Sequence, residues 1–166
     1  MRRIFFCLLI FCCSCCFAEK PSLPELRILY EQAPTQENSC KELLHILKPY
    51  DTESAPLMAG YRACAQMIMS KYVFNPFSKW SYFSKGKSAL SAAISVNSNI
   101  VELRFLRFTV QNSAPFFLGY HDNLDEDKIF LLNSIQNLKD MYLKDWIIRF
   151  LKHSKFVTIN EKKQLL

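Results

Sequence analysis

The sequence predicts an all-α protein of six to eight helices in antiparallel hairpins. Three observations carry that expectation. The stretch Pro76 to Ser95 divides cleanly at 100° per residue. Tyr82, Phe83, Gly86, Ala89, Leu90, Ala93 and Ile94 fall on one side, and Ser78, Ser81, Ser84, Lys85, Ser88, Ser91 and Ser95 on the other. No segment sustains the period-two alternation of a half-buried strand. Helix starts and stops punctuate the chain at short intervals: Ser22-x-x-Glu25 and Thr158-x-x-Glu161 are capping boxes, and Pro34 and Pro49 close helical runs.

Met1 to Ala18 (MRRIFFCLLIFCCSCCFA) stands apart from this pattern. Arg2 and Arg3 precede an apolar run, Ile4 to Phe17, and Cys16 and Ala18 take the −3 and −1 positions of a small-residue cleavage site. The segment reads as a secretory signal peptide cleaved before Glu19, leaving 19–166 as a single helical domain exported to the periplasm or secreted. The run is too short to span a bilayer. A lipoprotein anchor is the minor alternative, because Leu9-Ile10-Phe11-Cys12 resembles a lipobox apart from Phe11; the segment holds five of the 7 cysteines. The remaining two, Cys40 and Cys64, form a candidate disulfide in an oxidising compartment, with two buried free thiols as the alternative.

Length and charge narrow the function classes. A chain of 166 residues suits one domain, which at this size buries about 68–70% of its unfolded surface. The formal net charge of +6 includes Arg2 and Arg3 of the leader, and the rest is too scattered for a nucleic-acid partner.

The elements then follow in order. Leu26, Leu29 and Tyr30 give the first helix an apolar side. Ser39 to Leu47 follows, with Ser39 and Glu42 as its capping box. Asp51 to Pro56 is a polar turn. In Leu57 to Tyr72, Tyr61, Cys64, Ala65 and Ile68 recur at helical spacing, predicting a narrow buried stripe, with Met58, Met67 and Met69 as packing residues. Asn75 is the N-cap and Pro76 the first position of the next helix, where Gly86 on the apolar face predicts a close approach by a neighbour. Asn97-Ser98-Asn99 breaks it and caps a helix from Ile100 to about Gln111. That helix has two apolar flanks, so it must pack between two neighbours. Ser113 to Tyr120 (SAPFFLGY) is an aromatic loop, read as a plug at the end of the stack. The acidic run His121 to Asp127 fits the favourable end of a helix dipole better than a metal loop. Met141 to His153 and a short helix after Thr158 complete the chain.

Tyr61-x-x-Cys64-Ala65-x-x-Ile68 is similar to the first helix of a tetratricopeptide repeat. Gly86-x-x-x-Leu90-x-x-Ala93 resembles its second helix, although Ser98 stands where the repeat has proline. The resemblance implies a right-handed stack of helical hairpins, with a compact bundle as the other arrangement, and a concave surface for peptides or partner proteins. The chain also resembles small exported bacterial helical proteins with no assigned function.

No catalytic motif, metal signature or nucleotide loop stands out, so the expected function is a non-enzymatic protein–protein interaction module with no cofactor. Contact with a membrane is expected only if the leader is lipidated. The alternative is a carrier or sensor of a small anionic or amphipathic ligand. Arg104 and Arg107, one turn apart, would clamp its anion, beside Tyr82, Phe117 and Tyr120, unless the pair instead holds the acidic stretch near Asp125 to Asp127.

Overall fold

The computed structural model describes residues 21–165 and is all-helical over them. Among these residues there are eight α-helices: α1 (Leu23–Gln32), α2 (Glu37–Ile46), α3 (Pro56–Met69), α4 (Pro76–Val96), α5 (Val101–Ser113), α6 (Leu124–Ser134), α7 (Met141–His153) and α8 (Ile159–Lys163). Two single 3₁₀ turns, Phe116–Leu118 and Ile135–Asn137, flank α6. Residues 1–18, with the export and lipidation readings that rest on them, lie outside the described residues. No helix among those described is long and apolar enough to cross a membrane.

Side-chain caps explain four of the eight starts. Ser22 and Thr158 each form a complete capping box, with Glu25 and Glu161 reaching back to the cap. Asn75 accepts hydrogen bonds from the amides of Phe77 and Ser78 at the head of α4, where Pro76 has no amide hydrogen to satisfy. Asp140 caps α7 through the Leu143 amide. Two expected caps are corrected. Helix α2 starts at Glu37, ahead of Ser39, whose hydroxyl donates to the Gln32 side chain 3.1 Å away. Helix α5 has Ile100 at its N-cap, and Asn97 accepts from the Asn99 amide within the preceding turn.

Helix α3 is the hub. It packs most extensively on α4 and also meets α1, α2 and α5. Nine of its 14 residues are buried, so the narrow stripe expected there is in fact most of the helix surface. Sequence periodicity registered one face, but Ala59, Gly60, Ala63 and Ala65 are small enough to admit neighbours on the others. A Cβ on Gly86 would lie 2.5 Å from the Ala63 carbonyl oxygen and 2.6 Å from Met67 Cγ, which is the close α3–α4 approach its place predicted. On the other side of α3, a Cβ on Gly60 would strike the Leu103 side chain of α5.

Helix α5 packs against α3, α4, α6 and α7, as its two apolar flanks require. Phe105 and Phe108 are fully buried. Phe105 meets Trp146 edge-on at 4.8 Å, and Phe150 meets both phenylalanines edge-on, at 5.6 and 6.0 Å. Trp146 is part of the core.

Candidate functional site

One groove of about 510 Å³ opens where α1, α3, α5 and α7 converge on the 113–118 loop. That volume is within the range of pockets that hold drug-sized molecules, about 300–1,000 Å³. Its floor is carbon. Met67 and Ile68 come from the end of α3, Phe83 from α4, Val110 from α5, and Trp146 and Phe150 from α7. The aromatic loop contributes Ala114, Pro115 and Leu118. Helices α1, α3 and α5 bring the side chains of their last turns to the groove, whereas α4 and α7 bring residues from within the helix.

A small set of polar groups interrupts the apolar walls. The Tyr30 hydroxyl donates to Thr109 Oγ1 at 2.6 Å, and Thr109 in turn donates to the Leu106 carbonyl at 2.8 Å. Tyr30 meets Tyr61 and Trp146 edge-on, so its ring is fixed. Burial, followed by the neighbouring Cys64, pushes the Tyr30 phenol well above its ordinary range, which keeps it a neutral donor. Glu31 and Lys71 mark the rim. Lys71 donates to the Pro34 carbonyl at 2.7 Å, and Tyr72 donates to the Ala33 carbonyl at 2.7 Å, tying the end of α3 to the end of α1.

Arg104 and Arg107 do not face this groove. Both are buried, and both reach Asp127 on α6, which has no exposed surface. Arg107 donates from Nε to Oδ2 at 2.6 Å and from Nη2 to Oδ1 at 2.8 Å. Arg104 donates from Nε to the same carboxylate and from Nη2 to Glu126 at 2.7 Å, with its guanidinium 4.6 Å over the Phe130 ring. Burial alone would lower the Arg107 pKa, but its hydrogen bond and charge interaction with Asp127 raise it. The anion these arginines meet is therefore the protein's own acidic run, which corrects their assignment to a ligand.

The other residues grouped with them are separated. Tyr82 is 37% exposed on α4 and Phe117 is 85% exposed on the loop, whereas Tyr120 is buried, edge-on to Phe83 at 5.6 Å. The loop is thus a plug at Tyr120, a wall of the groove at Pro115 and Leu118, and solvent-facing at Phe116 and Phe117. Gly119, at φ 56°, makes the left-handed turn that separates these roles. Cys40 and Cys64 are buried free thiols, which corrects the candidate disulfide. Cys40 donates to the Ala65 carbonyl at 3.2 Å, and burial raises its pKa to about 11 and that of Cys64 to about 12.

A second buried charge cluster had no sequence signal. Arg27 of α1 forks onto Glu102 of α5 at 2.7 and 2.9 Å and reaches Asp140 at 2.7 Å, while Tyr61 donates to the same Glu102 carboxylate. Among the described residues, three buried side-chain polar atoms have no hydrogen-bond partner: both amide atoms of Gln111 and the Tyr120 hydroxyl.

The groove residues Tyr30, Thr109, Trp146 and Phe150 were also missed as a group. Each sits on an apolar helix face and carries the ordinary signature of a core position. No protein-family model matches this chain, and neither does any curated protein or solved structure.

Proposed function

We propose that this chain is an exported, non-enzymatic binding protein whose groove takes the apolar part of one small amphipathic molecule. The observation that supports this reading is the groove itself: an open, carbon-lined trough with Tyr30 and Thr109 in its wall and Glu31 and Lys71 at its rim. Apolar walls with a few placed polar groups are what small-molecule sites use, the walls for affinity and the polar groups for orientation. Export is supported by the order of Arg2 and Arg3, the apolar run and Ala18.

The groove carries its own reporter. Trp146 lines it, and the other tryptophan, Trp80, is exposed elsewhere. In a Trp80→Phe background, titration with decanoate, decylamine and an uncharged alkyl glycoside below micelle formation should change Trp146 emission saturably. Val110→Phe, which fills the trough, should remove the response. Absence of a saturable change with all three amphiphiles, or a response that survives Val110→Phe, counts against the reading. For export, N-terminal sequencing of the natively expressed protein should begin at Glu19.

A second reading follows from the open side of the groove. A partner protein could lay the apolar side of a helix into it, as groove-binding peptides do. On that reading the chain is an interaction module. Partner capture would be lost in Val110→Phe while the three amphiphiles leave Trp146 unchanged.

A further inference from the structure

The corner between α3 and α4 is unlike the rest of the surface. Phe74 is fully exposed in the connection, and Phe77 (86% exposed) and Trp80 (63%) follow in the first turns of α4. These turns project past the packed part of the helix, which begins at Phe83. The 113–120 loop adds Phe116 and Phe117, also exposed. Neither aromatic group lines the groove itself, but close chain neighbours of each do: Lys71 and Phe83 for the first, Pro115 and Leu118 for the second.

Lysines outnumber acidic residues around this corner. Residues 54–101 contain no aspartate or glutamate at all, yet they include Lys71, Lys79, Lys85 and Lys87. Lys71, Lys79 and Lys85 are exposed, and Lys87 lies 5.1 Å over the Tyr120 ring. On the loop side, Lys155 lies 5.2 Å over the Phe116 ring. The acidic residues nearby include Glu31, in the groove lining and 3.8 Å from Arg149, Glu37, whose charge helps raise the pKa of Tyr72 beside Lys71, and Asp122, which follows the loop.

We infer that this aromatic and lysine-bearing corner docks on an anionic lipid surface and sets the mouth of the groove against it. Tryptophan and phenylalanine beside lysines suit the headgroup boundary, where the rings leave water and the ammonium groups stay with lipid phosphates. A protein partner would need matching carboxylates and ring pockets, whereas a bilayer supplies negative charge and apolar depth without a fixed shape. The inference needs no lipid attached to the chain. It also stands independently of the groove's occupant, because Trp80 reports on the corner and Trp146 on the groove.

The test uses the full chain with vesicles of phosphatidylcholine alone and of phosphatidylcholine mixed with phosphatidylglycerol. The protein should sediment with the anionic vesicles and its tryptophan emission should shift to the blue. Trp80→Phe should keep sedimentation and lose most of the shift, since Trp146 is already buried. Phe77→Ser combined with Trp80→Ser, at two exposed positions, should abolish sedimentation while leaving the helical signal unchanged. Lys71→Glu with Lys79→Glu should weaken binding by at least about fivefold per lysine, in line with the attraction of one basic residue to an anionic leaflet. The inference fails if binding is the same on neutral vesicles or is absent on both. It fails also if the Phe77→Ser/Trp80→Ser chain binds like the parent, which would place the contact in the apolar run of residues 4–17. A blue shift that grows with protein concentration in the absence of lipid would assign the corner to a second copy of the chain instead.

Discussion

Asp127 shows how one carboxylate can decide the meaning of two arginines. Its oxygens take three hydrogen bonds from Arg104 and Arg107, and it has no contact with water. Glu126, more exposed, takes a further bond from Arg104, and its pKa is held down by the Asn123 side chain and by the charge of both arginines. Removing one partner of such a cluster strands a buried charge, so Asp127→Ala should lower unfolding stability by about 3–5 kcal/mol. Arg104→Ala together with Arg107→Ala should be comparably destabilising, and neither change should affect amphiphile binding at Trp146. Urea unfolding followed by helical signal, with the Trp146 titration on the same preparation, checks both. The spacing of the two arginines was legible in the sequence and put them on one strip of a helix. The sequence offered the acidic stretch near Asp125 to Asp127 as one of two candidate anions, and choosing it took the packing of α6 on α5, because Asp127 lies on the next helix.

Helix α4 illustrates how far periodicity reaches. Phe83, Gly86, Leu90, Ala93 and Ile94 are buried as the wheel predicts, while Tyr82 and Ala89 at its edges are only partly covered. Gly86 is a point of close approach to α3. Alanine there would gain about 1 kcal/mol of helix propensity. It would also drive a methyl group into the Ala63 carbonyl and the Met67 side chain, and backbone cannot yield as a side-chain tip does. Gly86→Ala should therefore destabilise by about 1–3 kcal/mol, the usual range for overpacking. Ser88→Ala, on the exposed face of the same helix, should be neutral or slightly stabilising. Chemical denaturation of the two variants side by side separates propensity from packing.

Across the fold, buried titratable groups set a pH window. Asp140 is held below its ordinary value first by its bond from Arg27 and then by the Leu143 amide, and Glu126 is lowered as well. Groups lowered in the folded state contribute stability above their unfolded pKa and lose it as pH falls through the folded one. Both carboxylates are partly exposed, so this acid limb should be shallow. At the other end, Cys40 and Cys64 are raised by burial to about 11 and about 12, and Tyr30 and Tyr61 are raised too. Their contribution is complete below the ordinary thiol value of 9.0 and is lost as pH rises through the folded values. The thermal midpoint should therefore be flat from roughly pH 5 to 9 and fall on both sides. Cys64→Ala should soften the alkaline fall. A midpoint that rises between pH 9 and 11 would contradict the burial of these groups.

The all-helical fold, the Ser22, Asn75 and Thr158 caps and the packed face of α4 could be read before any coordinates, because each rests on interactions within a few residues. A hydrogen bond from a side chain to an amide three positions on, or a wheel repeating every 3.6 residues, is complete in the local chain. The groove, the Arg27–Glu102 pair across 75 residues and the Arg104–Asp127 pair across 23 could not be read in that way. They depend on how closely helices approach and at what register, which Gly60, Gly86 and the small residues of α3 govern from positions far from the groups they bring together. A buried arginine and a surface arginine look alike in a sequence. Only the packing of α6 on α5 turns Arg104 and Arg107 inward and leaves the lysines of the α3–α4 corner to face solvent.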